Sequence, residues 1–213
     1  AEVIITDPIS SQLIKYLANT YLPLRLSFVN EATRLSDYSG ANLTDVLRGV
    51  GLDSRIGSHY FRPSPSWGGS CFPKDLVEVN NFYNQDELNL PLISNIIGSN
   101  EEHLHWTVNQ LLSLKKNNGL KRIVLVGAAF KEDTDDLRNS PTLEMYNILN
   151  EMGEEVIILD TDIEVTGYQS IKQLDEVPAY SLLSIMYPLK EELNNNISNY
   201  AINNECIIYY PWG

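Results

Sequence analysis

In the stretch SWGGSCFPKD, residues 66–75, Cys71 follows Gly68, Gly69 and Ser70 and precedes Pro73, Lys74 and Asp75. A thiol becomes a good nucleophile when nearby cations or a helix N-terminus favour its thiolate. The sequence predicts a helix from Pro73. Its free N–H groups would face Cys71, with Lys74 nearby, and could also stabilise an oxyanion on a carbon bonded to the sulfur. Gly68 and Gly69 would admit a substrate close to the backbone. The bland alternative is a small packed cysteine in a glycine-rich turn.

Lys15 and Asn19 lie four residues apart and share a helix face. In IKYLANT both neighbour apolar residues, which suggests a partly buried lysine; a surface lysine beside a helix-interior asparagine is the alternative. A third constellation is AAFKEDTDDLRNSP, residues 128–141, placed after a strand and before a helix, where α/β sheets bind ligands. It has Gly127 but no G-x-G-x-x-G pattern. Lys131, Arg138 and the helix start at Ser140 could hold a phosphate, or the segment is a solvated acidic loop. His59, His103 and His105 lack partners at metal-ligand spacing, and Trp106 reads as packing on its helix.

These residues need elements to hold them. The run AEVIITD is strand-like and has no initiator methionine, which reads as the continuation of something upstream. Leu13, Tyr16, Leu17, Thr20, Leu24, Phe28 and Leu35 recur at helical spacing, predicting a long helix from about residue 8, capped by Ser10 or Ser11, kinked at Pro23 and ended by Gly40. A shorter helix is predicted over LTDVLRGVG. A serine-, proline- and glycine-rich loop precedes Cys71, then a helix over PKDLVEVNNFYNQ. A second long helix is predicted from Pro91 to the Asn-Asn-Gly at 117–119. At LKRIVLVG the pattern changes to strand (LKRIVLVG), helix (SPTLEMYNILNEMG, capped by Ser140) and strand (EEVIILD), a βαβ unit and hence a parallel sheet. AYSLLSIMY and CIIYY read as two further strands. The expected division is 1–118, helical, and 119–213, α/β.

Of the 213 residues 43 % are apolar and 20 % charged, the globular range. Fifteen basic against 28 acidic residues leave a net charge of −13, which argues against a nucleic-acid partner, since phosphate contacts need a basic face. Cys71 and Cys206 show no pairing pattern, which suggests a reducing compartment. No apolar run approaches a membrane span; a cytoplasmic protein is expected.

IKYLANTYLPLRLSFVNE, DSRIGSHYFRPSPSWGGSCFPKD and AAFKEDTDDLRNSP, in this order, resemble the UDP-glucose/GDP-mannose dehydrogenase family, over about residues 1–160. The resemblance implies an all-α central dimerisation domain (6-phosphogluconate-dehydrogenase C-terminal-like) followed by an α/β Rossmann-like nucleotide-sugar-binding domain, and a homodimer through the central helices. It implies NAD as cofactor, held mainly by an N-terminal Rossmann domain that this sequence does not contain. The family oxidises the sugar C6 alcohol to a carboxylate in two hydride transfers. By resemblance Cys71 matches the nucleophile that captures the aldehyde, Lys15 and Asn19 the pair stabilising charge on the reacting oxygen, and Asp75 the acid that positions water or the lysine. Arg55 matches an arginine reaching the substrate across the dimer. Tyr60, Phe61, Arg62, Trp67 and Gly68 match the nucleotide-sugar cradle, and Phe130 and Lys131 match substrate contacts. Lys74 and Arg138 match cofactor contacts.

Glu132 stands where the family commonly has proline, Ser66 where glycine or alanine is usual, and the ending CIIYYPWG lacks an Asp-Gly-Arg-like turn. UDP-glucose is the first expected substrate and GDP-mannose the second. The fragment alone is expected to be inactive. A non-catalytic nucleotide-sugar-binding dimer and a purely structural dimerisation module are the competing readings.

Overall fold

The computed structural model describes residues 3–84 and 88–212. Ala1, Glu2, Gln85 and Gly213, which fall in stretches read above, lie outside them. Residues 3–7 form no strand, and Val3, Ile4 and Ile5 are exposed, with no strand among the described residues pairing with them. Helix α1 (Pro8–Ser39) is capped by Asp7 rather than by Ser10 or Ser11, its carboxylate accepting the Ser10 N–H at 2.9 Å. Proline at the first helical position has no N–H to satisfy and a pre-set φ, so the cap falls one residue earlier. The helix runs through Pro23 and closes at Gly40 in the left-handed region.

Helix α2 (Leu43–Gly51) and, after a loop, α3 (Phe72–Asn84) follow. The predicted second long helix is divided into α4 (Pro91–Ser94) and α5 (Ile96–Asn117). Between them Asn95 turns its side-chain amide onto the Pro91 carbonyl at 2.7 Å. A short amide side chain competing for backbone groups in this way interrupts helices.

Strand β1 (Arg122–Val126), α6 (Pro141–Glu151) and β2 (Val156–Leu159) form the expected βαβ unit; β3 (Ser170–Ile171), β4 (Ser181–Ile185), α7 (Glu191–Asn203) and β5 (Ile207–Tyr209) complete it. All pairings are parallel, in the order β3-β2-β1-β4-β5. The protein is therefore a helical portion followed by an α/β Rossmann-like portion. Neither β3 nor α7 was read from the sequence. The former has two residues; the latter is asparagine-rich, with poor intrinsic helix propensity, and packs Ile197 and Ala201 into the interior.

Both sheet faces are covered, as parallel strands require. Ile123 and Leu125 point to one side, against Met145 and Leu149 of α6; Val124 and Val126 point to the other, against Ile197 of α7. Helix α5 joins the two portions. Its Leu104, Val108 and Leu111 belong to the first of these cores, while its earlier turns pack on α1. Among the described residues no helix is long and apolar enough to cross a membrane.

Candidate active site

Cys71 immediately precedes α3, and its carbonyl accepts the Asp75 N–H at 2.9 Å, closing the first helical turn. The thiol is exposed, with the Ser70 hydroxyl 3.7 Å from Sγ. One turn on, Asp75 is buried to 3 % exposure and points at α1. There Asn19 Nδ2 donates to Asp75 Oδ2 at 2.6 Å, and Lys15 Nζ lies 3.8 Å from the same oxygen. The shared face of Lys15 and Asn19 thus converges on α3. Of the two readings of Lys15, the surface lysine holds and the partly buried one does not, since the side chain is 66 % exposed. The apolar neighbours that suggested burial, Ile14 and Leu17, are themselves exposed.

The loop before Cys71 is held by buried polar side chains of α1 and α5. Asn100 clamps Trp67 from both sides, its Oδ1 accepting the backbone N–H and its Nδ2 donating to the carbonyl, each at 2.9 Å. Ser27 accepts the Trp67 indole N–H at 2.9 Å, and Asn30 accepts the Ser64 N–H at 3.0 Å. His103 presents Nε2 to the Ser64 carbonyl at 2.9 Å, and burial pushes its pKa from 6.5 down to about 4. A neutral imidazole donating to that carbonyl accounts for its fit there. His103 is a structural anchor, stacked on Trp106 at 5.3 Å.

Beyond Trp67 the loop docks on residues 128–141. Gly69 N–H donates to the Arg138 carbonyl at 3.2 Å, and Asn139 Nδ2 donates to the Gly69 carbonyl at 3.0 Å. A Cβ on Gly68 would collide with the Asn139 carbonyl oxygen, and Gly69, at φ +88°, lies under the Phe130 ring. Only glycines permit this approach.

A cavity of about 520 Å³ opens between the helical and α/β portions, with Tyr60, Arg62, Trp67, Gly68 and Cys71 on one side and Phe130, Lys131, Tyr187 and Trp212 on the other. Lys131 leans over the Phe130 ring at 5.5 Å, and Arg62 over the Trp212 ring at 5.1 Å. Two cations among aromatic faces suit an anionic ligand with a planar group.

The remaining sequence-predicted residues lie off this wall. Phe61 packs against Phe28, its centroid 6.3 Å away, and under Arg25. Arg55 is exposed and bonded to Asp53 at 2.6 Å. Lys74 is exposed on the first turn of α3. Arg138 binds Asp136 through two bonds, of 2.9 and 2.7 Å, which pull the Asp136 carboxyl down to about 2. Asp136 raises the Arg138 pKa, chiefly through the hydrogen bond, and Cys71 acts in the same direction.

Sequence reasoning missed Trp212, Tyr187, Asn139 and the anchors Ser27, Asn30 and Asn100. A signal for Asn100 existed: Asn100, His103 and Thr107 form a polar stripe at helical spacing on α5, and all are buried. No local pattern marks Trp212.

Two family models match: the UDP-glucose/GDP-mannose dehydrogenase family, central domain, over residues 9–102, and the UDP binding domain of the same family over residues 124–196. The UDP-glucose 6-dehydrogenase of Rickettsia felis is 30 % identical over an alignment covering 100 % of this chain and 54 % of its own length. That of Bacillus subtilis, TuaD, is 35 % identical over 75 % of this chain and 37 % of its own length. The chain thus spans about half the length, or less, of the curated relatives it matches. A UDP-glucose dehydrogenase from Pyrobaculum islandicum superposes with a TM-score of 0.75 at 30 % identity, over 86 % of this chain and 44 % of that one. A UDP-D-ManNAc dehydrogenase from Pyrococcus horikoshii shares the fold, with a TM-score of 0.83 at 22 % identity over 100 % of this chain and 50 % of that one.

Proposed function

Because the chain belongs to the UDP-glucose/GDP-mannose dehydrogenase family, we propose that it supplies the substrate cradle and the nucleophile of an NAD-dependent nucleotide-sugar 6-dehydrogenase acting on UDP-glucose. The observation that carries this reading is the position of Cys71. Its exposed thiol lies in the wall of the cavity that also holds Arg62 and Lys131, one helical turn from Asp75, Asn19 and Lys15.

In this reading the diphosphate lies against Arg62 and Lys131 and the base meets the aromatic faces. Cys71 Sγ adds to the C6 aldehyde, forming a C–S bond, while Lys15 and Asn19 offset the charge on the former carbonyl oxygen. After oxidation at that carbon, water cleaves the resulting thioester, and the thiol is regenerated. Asp75, accepting from Asn19 and facing Lys15, keeps both donors aimed at one place. Covalent capture holds a reactive aldehyde in place between the two oxidations.

NAD would accept the two hydrides. The crevice where a Rossmann-like sheet usually holds a dinucleotide, at the ends of β1 and β2, does not fit it here. Asp160, at the end of β2, spends its carboxylate on the N–H groups of Ala128, Asp162 and Ile163, and the Tyr187 ring lies where a side chain on Gly127 would stand. Residues 1–118 and 119–213 are read as the central and nucleotide-sugar-binding domains, with Lys74 and Arg138 facing a cofactor held outside that crevice. The exposed apolar residues Phe28, Leu35 and Tyr38 of α1 support a homodimer through the central helices, across which Arg55 would reach the second site.

Calorimetric titration of the chain with UDP-glucose, and with GDP-mannose in parallel, tests the reading. Binding of UDP-glucose, retained in Cys71→Ser and lost in a combined Arg62→Ala, Lys131→Ala variant, is the expected result. Selective binding of GDP-mannose would change the substrate, and binding of neither would remove the cradle.

A further inference from the structure

We propose that Asn139 is the positioning residue for Cys71, a latch through which the α/β portion sets the geometry of the cysteine turn. As a role in catalysis the latch rests on the reading of Cys71 as nucleophile; as geometry it rests on the contacts alone. Consecutive residues of the 128–141 loop hold both polar groups of the Gly69 backbone: the Arg138 carbonyl takes its N–H at 3.2 Å, and the Asn139 amide donates to its carbonyl at 3.0 Å. Asn139 does this from the left-handed region, at φ +49°, a conformation that asparagine tolerates better than most residues. Its own carbonyl fills the space that a side chain on Gly68 would need.

The consequence falls two residues along. Cys71 is suspended between a turn fastened to the α/β portion at Gly69 and a helix fastened to α1 through Asp75 and Asn19. Anions are favoured at a helix N-terminus only while they stay within its first turn. A turn freed at Gly69 lets the thiol leave that position, although nothing on α3 has changed. Asn139 is not among the residues lining the cavity and acts through the Gly69 peptide.

The test is the rate of iodoacetamide alkylation at Cys71, followed by peptide mass spectrometry, with Cys206 of the same chain as internal reference. Asn139→Gly accepts the left-handed backbone and deletes the side chain with its amide. It is expected to slow Cys71 about fivefold, the weight of one ordinary hydrogen bond, with Cys206 unchanged and the melting temperature lowered by only about 2–4 °C. An unchanged or faster Cys71 rate overturns the latch, as does a parallel change at both thiols with a larger fall in melting temperature. Nucleotide-sugar oxidation surviving Cys71→Ser in the assembled enzyme would remove the nucleophile reading while leaving the alkylation result to stand by itself.

Discussion

Asn19 donates to Asp75 across 2.6 Å, tying the first turn of α3 to α1. Asp75 is 3 % exposed, whereas Lys15, facing the same oxygen, is two-thirds in solvent. The two partners of one carboxylate therefore differ in what they contribute. Asp75→Ala strands the Asn19 amide and is expected to lower unfolding free energy by about 1–3 kcal/mol, read from urea melts. Lys15→Ala is expected to leave stability within about 1 kcal/mol of the parent while abolishing turnover in the assembled dehydrogenase. Equal losses of stability in both variants would contradict this division.

Asn100 holds the Trp67 backbone at both ends. Asn100→Ala leaves a buried N–H and a buried carbonyl without partners and should cost about 2–4 kcal/mol. Trp67 lines the cavity, so nucleotide-sugar affinity should fall as well. Calorimetry performed well below the variant's melting temperature separates the two effects.

Protonation of His103 opposes folding. Its folded-state pKa, about 4, lies below its ordinary value of 6.5, mainly because burial penalises the imidazolium. Between those values the unfolded chain binds more protons than the folded one. Stability is therefore full above pH 6.5, declines as pH falls toward 4, and levels off below, a total of about 3 kcal/mol. The difference in unfolding free energy between wild type and His103→Gln should shrink as pH falls through this window. A pH-independent difference would show that His103 does not titrate there.

Trp212 carries Arg62 on its ring and donates its indole N–H to the Ile185 carbonyl at 2.9 Å. Trp212→Ala frees the guanidinium and is expected to weaken nucleotide-sugar binding about two- to fivefold, the weight of an exposed cation–π contact. Trp212→Phe should retain most of the affinity. Identical dissociation constants for all three proteins would leave Trp212 a packing residue only.

The sequence by itself determined most of the local elements and their order. Helical spacing marked α1, a proline after a serine marked α6, and apolar β-branched runs marked β1 and β2, because these depend on neighbours within a turn or a pleat. The motifs around Cys71 and residues 128–141 were legible for the same reason: each is continuous in the chain. Tertiary structure alone decided which side chains meet. Asn19 and Asp75 are 56 positions apart, Asn139 and Gly69 are 70 apart, and Arg62 finds Trp212 at the far end of the chain. It also decided that α7 is a helix despite its asparagines and that Lys15 faces water, since burial is a property of packed surfaces rather than of adjacent letters.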